Sequence, residues 1–542
     1  LRPAKWARLS LVLPVGVSAL LTAPAARAAD PDEDAAAESD AAPPKDPAAR
    51  QSKGLTPPVL LPTREQTPAE PVNPWFVRPP FTITAGPGSD WRLTFYGFAE
   101  ADAIHDSTRS FNDGLNNGVV AHVTTQANQN SRTQFTVRNS RFGFRADSPR
   151  YGGIKTAGLL EFDLFGNQPS INSGGGSPGQ APGNATTTEG AYFNNAGLRV
   201  RHAYVTIQDP VVDVLAGQTY YLLGWQNYFF GATAGFLGMP NQLFNRTAQV
   251  RLSHTFETDH LNIDVAAGVF RPAQRDSSIP DAQAGLRLVF NHWKGISTPG
   301  SGGTTALPAA LAVSAMQRAF KVDPYAPLPG PPIRLLGWAV ALNFLLPIIP
   351  AKDATDRGNA LTITGEFVTG TGDADQYTGM TAGATMPNVY PLPPDTPVNN
   401  MGVSVPPSPG TAPLVGLPYT PNVDPGLVAF DSSNFLHTIN WETFVIGVQY
   451  YLPPTGRLFI SGNYSGGYSN NIASLFHPNA VTQPWVNSWN VFQWSQYFDA
   501  NLFFDVTPAM RVGASYQRLR QELADDTTAH NERFEMTFLY FL

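Results

Sequence analysis

The chain of 542 residues contains no cysteine, which excludes a disulfide framework, a thiolate metal site and a cysteine nucleophile. Charged residues supply only 14% of it, against ~25% in an average soluble protein. The net charge is −7, and no segment is basic enough to suggest nucleic acid as a partner. Long apolar runs are also missing. Beyond the first residues the nearest is Leu335–Ile349, which falls short of the ~20 residues of a membrane helix and holds Asn343 and Pro347. If this chain enters a bilayer, it does so as strands.

What is present fits that route. Gly, Asn, Thr, Phe and Tyr are plentiful, and the final residues read as one strand. Phe534, Met536, Phe538, Tyr540 and Leu542 share one face, with Arg533, Glu535 and Thr537 on the other. A row of large apolar side chains at period two is what a barrel wall presents to lipid. At the other end, Arg2, Lys5 and Arg8 precede an apolar stretch from Leu9 to Leu21, and Ala26-Arg27-Ala28 forms a cleavage motif. Residues 1–28 are therefore expected to be an export signal. Residues 29–89 are rich in Ala, Pro, Asp and Glu, and are expected to be a disordered periplasmic linker that buries too little apolar surface to fold. The barrel is expected over 90–542.

Past Trp91, strand-like runs alternate with turns of two classes. Short turns fall at Asp147–Gly153, Gln208–Val211, Thr258–His260, Pro453–Gly456 and Thr507–Ala509. Long ones fall at His105–Thr133, Gly166–Gly197, Leu222–Thr247, Arg271–Pro280, Lys321–Pro332, Gly370–His437, Ser469–Asn490 and Glu522–His530. Two connections, Lys294–Ala306 and Pro347–Gly358, are longer than the short class prefers. The pattern predicts an all-β, up-and-down antiparallel transmembrane barrel of about sixteen strands, with short periplasmic turns, long extracellular loops and both termini periplasmic. Barrels of that size leave an aqueous channel.

Strand parity then orients the side chains. Phe142, Phe144 and Ala146 oppose Arg141 and Arg145; Leu198, Val200 and Tyr204 oppose Arg199 and Arg201; Val250, Leu252 and Phe256 oppose Arg251; Leu286, Leu288 and Phe290 oppose Arg287. A midplane Arg or Lys toward lipid costs about 2–4 kcal/mol, so the arginines are expected in the lumen. Lys155 joins them, with Glu100, Asp102, Glu161 and Asp163 as lumen acids. The third long loop reads LLGWQNYFFGATAGFLGMPNQLFNRT and has no carboxylate. Trp225, Tyr228, Phe229, Phe230, Phe236 and Arg246 are expected to fold inward as a constriction, which favours anionic over cationic solutes. Loss of Arg145 or Arg201 is expected to lower anion preference with little effect on folding.

Catalytic and metal chemistry find no constellation. The nine histidines are scattered, with His202, His254 and His292 expected on outward faces, and no G-x-S-x-G elbow occurs. Asp373 and Asp375 open like a calcium loop, but its further spaced ligands are missing. No cofactor is expected. An energy-coupled receptor would need a folded plug, for which 29–89 is too short and too polar.

The segments YGFAEADAIHD (Tyr96–Asp106), SRFGFRADSP (Ser140–Pro149), LRVRHAYVTI (Leu198–Ile207) and VLAGQTYYLL (Val214–Leu223) give the chain a further character. In them it resembles the DcaP-like family of trimeric outer-membrane porins, over roughly residues 91–542. The resemblance implies a sixteen-stranded barrel, a homotrimer in the outer membrane of a Gram-negative bacterium, and a narrowed basic channel for small hydrophilic anions such as dicarboxylates. Arg141, Arg145, Arg199 and Arg201 lie inside the matching segments. Two features depart from the family: the linker does not resemble the N-terminal coiled coil of some members, and Leu542 stands where a terminal Phe is usual. The alternative function is a plugged, structural or adhesive barrel without an open channel.

Overall fold

The computed structural model describes residues 81–84, 91–115, 118–166, 197–226, 228–235, 238–274, 277–300, 302–322, 331–351, 353, 357–377, 382–384, 423–431, 435–476 and 490–542. The expected export signal, and all of the expected linker except Phe81–Thr84, lie outside them.

Twenty strands are formed by these residues. The first ten are β1 (Phe81–Thr84), β2 (Arg92–Asp106), β3 (Arg132–Thr136), β4 (Arg141–Asp147), β5 (Lys155–Gly166), β6 (Gly197–Gln208), β7 (Asp213–Tyr220), β8 (Arg246–Glu257), β9 (Leu261–Phe270) and β10 (Asp281–Ser297). The others are β11 (Thr305–Val322), β12 (Ile333–Ile349), β13 (Leu361–Thr371), β14 (Val428–Phe430), β15 (Leu436–Thr438), β16 (Asn440–Tyr451), β17 (Leu458–Tyr468), β18 (Phe492–Thr507), β19 (Met510–Leu523) and β20 (Thr528–Phe541).

Each ring strand pairs antiparallel with the next, and β20 returns to β2, with Phe541 opposite Phe98 and Arg533 opposite Asp106. The ring of β2, β4–β13 and β16–β20 is a closed barrel of sixteen strands. Closure leaves no open sheet edge, which is what allows strands to stand in hydrocarbon. β3 continues the line of β4 along β2 beyond a break at residues 137–140. β1 pairs with Arg92–Phe95 of β2 and extends the sheet past the end of β20, so this part of the expected linker is a strand. Its alternating Phe-Thr-Ile-Thr sequence suits such an edge.

The alternation that the sequence shows is carried through in space. On β20, Phe534, Met536, Phe538 and Tyr540 are 44–56% exposed, whereas Arg533, Glu535 and Thr537 are at most 2% exposed. No helix among the described residues is long and apolar enough to cross a membrane.

One end of the barrel carries the short turns and the other the long loops. Of the two connections longer than the short class, 294–306 turns inward among its described residues, with the Gly300 N–H donating to Gly231 O and Gly302 O accepting from Arg511, while 347–358 lies partly outside the described residues. Ile296, Ala360, Tyr451, Phe459 and Phe503 form one buried apolar cluster at the short-turn end with Ala232 and Ala234. At the long-loop end a larger cluster, including Phe320, Leu427, Phe430, Trp441, Ile472 and Phe492, covers the mouth above β11–β13 and β16–β18. The hairpin of β14 and β15 belongs to this cover. The basic side chains Arg141, Arg145, Lys155, Arg199, Arg201 and Arg251 are grouped on the other arc, on β4 to β8.

Candidate functional site: the barrel lumen

On the inward face of β4–β8 stand seven cations: Arg141, Arg145, Lys155, Arg199, Arg201, Arg246 and Arg251. Four carboxylates face them, Asp147, Glu161, Asp163 and Asp213. Arg201 is the centre of this arc. Its Nε donates to Glu161 Oε1 at 2.7 Å, Nη1 to Asp163 Oδ2 at 3.0 Å and Nη2 to the Tyr220 hydroxyl at 3.1 Å. Arg199 grips Asp163 with two hydrogen bonds of 2.9 and 2.5 Å. Arg141 Nε lies 3.6 Å from Glu161, which also accepts from the Tyr96 hydroxyl at 2.9 Å. Arg145 and Lys155 both hold Asp147, at 3.0 and 3.4 Å. Arg246 stands over the rings of Tyr220 and Phe244, at 5.5 and 5.3 Å. Arg251 is buried on β8. On the neighbouring strands Arg287 pairs with Asp264 at 2.8 Å.

A bulge shapes this arc. Between β5 and β6 the register shifts, so that His202 faces Glu161 and Val200 faces Phe162, with Arg201 as the extra residue. Parity therefore reverses along β6. Leu198 and Val200 face outward in its first half, Val205 and Ile207 in its second. His202 and Tyr204, expected outward from unbroken alternation, instead lie inside at 5% exposure each. His202 Nδ1 contacts Thr219 Oγ1 at 2.9 Å. His254 is half-buried and His292 exposed, on outward positions.

The segment 221–245 between β7 and β8 crosses the lumen. At its start the Leu223 and Gly224 N–H groups donate to Gln283 Oε1 and Ser314 Oγ at 2.8 and 2.7 Å. Trp225 and Tyr228 then reach β11, the indole N–H donating to Val313 O at 3.3 Å and the hydroxyl to Pro308 O at 2.8 Å. The guanidinium of Arg287 lies 4.8 and 4.5 Å from their ring centres. On the far wall, Ser461 Oγ and Asn463 Nδ2 both donate to Ala232 O, at 2.9 and 2.6 Å. The Ala234 N–H donates to Asn501 Oδ1 at 3.1 Å, and Ser465 Oγ donates to Pro240 O at 2.7 Å. The return leg is held by the Leu243 N–H donating to Glu366 Oε1 at 2.8 Å. Phe229 and Phe230 are buried within the segment, and Phe236 lies outside the described residues.

Two glycines make this path possible. Gly224 has φ +76°, and a Cβ there would meet Leu243 Cδ1 at 2.6 Å. Gly231 passes so close to β17 that a Cβ would sit 2.2 Å from Asn463 Oδ1.

A third group lies where the barrel closes. Glu100 and Asp102 of β2 are joined by Glu535 of β20, all at most 3% exposed. Glu100 accepts from Asn139 Nδ2 at 2.6 Å and from Thr537 Oγ1 at 3.0 Å, and Glu535 accepts from Gln517 Nε2 at 2.7 Å. Neither oxygen of Asp102 accepts a hydrogen bond among the described residues.

Beyond the residues named from the sequence, further ions face the lumen. Arg533 pairs with Asp106 at 2.8 Å, Arg138 with Asp113 at 3.0 Å, Arg511 with Asp505 at 2.7 Å, and Arg318 with both Asp281 and Asp375 at 2.5 Å. Arg357 also reaches Asp505. Inward parity was a usable signal for Arg533 and Glu535, since both alternate with Phe534 and Met536. The loop partners Asp113 and Asp375 gave none. The expectation that Arg201 is dispensable for folding does not fit its place, with no exposed surface and two ion pairs.

No family model and no curated protein matches the chain. The structure is similar to the crystal structure of the outer membrane channel DcaP of Acinetobacter baumannii, with a TM-score of 0.53 and 14% identity, covering 85% of this chain and 99% of that one. The chain has the fold of an outer-membrane porin. It is also similar to an anion-selective porin from Comamonas acidovorans, at a TM-score of 0.42 and 9% identity over 84% of this chain and 100% of that one. OmpF of Salmonella typhi, in complex with daunomycin, gives a TM-score of 0.41 and 10% identity over 85% and 100%. The porin fold explains why so many charged side chains are turned inward. Their outward alternates must be apolar, so the lumen is the only polar phase the wall meets.

Proposed function

We propose that this chain is a passive outer-membrane porin for small hydrophilic anions, dicarboxylate-like in charge, working as a homotrimer with its short turns and both termini on the periplasmic side. Selection is by pore radius and field, with no chemical step. The observation that carries the reading is the surplus of cations on β4–β8 beside a crossing segment that brings no carboxylate. An anion moving along that arc exchanges water for guanidinium donors at Arg199, Arg141 and Arg145, which retain exposed side-chain surface.

A second reading has its own support. The apolar clusters at both ends and the anchored segment 221–245 fill much of the β10–β18 side, as a plugged structural barrel would. Single-channel current of the refolded protein in a planar bilayer under a salt gradient decides between them. The porin reading expects anion-selective reversal and closure in three steps. A folded barrel that passes no current establishes the plugged form, and cation-selective reversal gives the field to Glu100, Asp102 and Glu535.

A further inference from the structure

The outward face at the long-loop end carries a like-charged pair. Lys321 of β11 stands directly opposite Arg334 of β12, and both side chains are exposed. Like charges facing each other across two strands repel. Among the described residues no carboxylate lies within ion-pair distance of either. The other outward arginines differ: Arg518 lies 3.9 Å from Glu532, and Arg520 covers the ring of Trp494 at 5.6 Å.

Beneath the pair the outward positions run Ala319 beside Leu336, then Gln317 beside Trp338. Trp338 is 47% exposed, at the level where indoles mark the membrane interface. Next to them Ala315 of β11 faces Ala284 of β10, and Ala282 faces Gln317. From the two cations toward the middle of the barrel wall, the outward row of β11 runs Ala319, Gln317, Ala315, a mostly small-residue strip beside Leu336 and Trp338.

We propose that Lys321 and Arg334 bind the phosphate of a phosphorylated membrane lipid, whose acyl chain lies along Ala319, Ala315 and Trp338. A phosphate between the two cations turns a repelling pair into two charge-assisted contacts. The apolar surface of Leu336, Trp338 and the alanines is what selects a lipid over a free anion. The site rests on the reading of the barrel as an outer-membrane protein, but conduction does not depend on it, so the two can fail separately.

The test is native mass spectrometry of the full-length protein in detergent, titrated with bis-phosphorylated lipid A, with the same lipid after dephosphorylation, and with inorganic phosphate. Wild type is expected to retain lipid A, and the double variant Lys321→Gln, Arg334→Gln to bind it about tenfold or more weakly. Dephosphorylated lipid should bind weakly to both. A control pair, Arg518→Gln with Arg520→Gln, should bind as wild type does. Equal binding by the Lys321/Arg334 variant overturns the site, as does equal binding of the dephosphorylated lipid. Competition by millimolar inorganic phosphate overturns the lipid assignment and leaves a free-anion site. Circular dichroism of each variant establishes that the barrel is folded. Relief of the repulsion gives no reason for the double variant to lose stability.

Discussion

The two walls of the lumen use polar side chains in opposite ways. On β4–β8 seven cations meet four carboxylates, and the excess charge is left facing the lumen. On β10–β18 the side chains that meet the crossing segment are mostly neutral, Gln283, Ser314, Ser461, Asn463, Ser465 and Asn501, each bonded to backbone of residues 222–240. Two charged groups also meet it: Glu366, satisfied by the Leu243 N–H and the Asn343 amide, and Arg287, which pairs with Asp264 and lies over the Trp225 and Tyr228 rings. A neutral amide or hydroxyl can be buried against protein for one good hydrogen bond, whereas a charge there needs a full partner. Neutral groups therefore line the side that is dry against the loop. Charges in excess mark the side left for water and ions.

That contrast breaks most severely at Arg201. Arg201→Ala removes the common partner of Glu161 and Asp163 and leaves a buried, like-charged pair, for which about 3–5 kcal/mol of destabilisation is expected. Arg199→Ala takes away a side chain with 32% exposure and leaves Asp163 bonded to Arg201, so ~1 kcal/mol or less is expected. Its effect belongs to selectivity, with reversal potential moving toward cations. Urea unfolding of both variants, read beside their reversal potentials, checks the division. Equal losses of stability would mean that burial does not separate structural from conducting arginines.

The next effect in size lies on the neutral wall. Asn463 donates both to Ala232 O and to Asp499 Oδ1, and the second bond is 2.7 Å. Asn463→Ala removes both bonds, but Ser461 Oγ still donates to Ala232 O and Asn501 Nδ2 to Asp499 Oδ1, so the cost is about 0.5–1.5 kcal/mol. It also loosens residues 231–234 from β17, so open-channel current should become larger and noisier. Ser465→Ala, which removes one bond to Pro240 O, should do the same more weakly. Stable current in the Asn463 variant would show that this anchor does not set the constriction.

Much of this contrast was legible before any coordinates. Ring closure follows from parity and from turn spacing, because a one-residue slip would turn every arginine toward lipid. The short turns at Gln208–Val211, Thr258–His260 and Thr507–Ala509 bracket the strands that form. Parity failed at the β6 bulge, where one extra residue, Arg201, turned His202 and Tyr204 inward with no marking glycine or proline. The dense aromatics of 222–247 pointed to burial. Their partners did not show, since Gln283, Ser461 and Asn501 lie far along the chain and look like ordinary lumen residues. The same distance hid Arg318 with Asp375 and Arg533 with Asp106, ion pairs that depend on how loops return to the wall.

The smallest effect sharpens the border between the two walls. Glu100, Asp102 and Glu535 lie side by side at the closing seam, next to the arc that begins with Arg141, and Asp102 takes no hydrogen bond among the described residues. Three carboxylates so close repel one another, so Asp102→Asn should leave stability unchanged or raise it by ~1 kcal/mol. It also removes one negative charge beside the basic arc. At 0.1 M salt the field of one wall charge decays over about 10 Å, so the gain in anion preference should be smaller than the loss in Arg199→Ala. Reversal potential and urea midpoint measure the two parts together. A loss of stability would mean that the Asp102 carboxylate holds a cation or proton which the amide cannot, and the seam would then belong with the neutral wall, as a place where charge is fully matched.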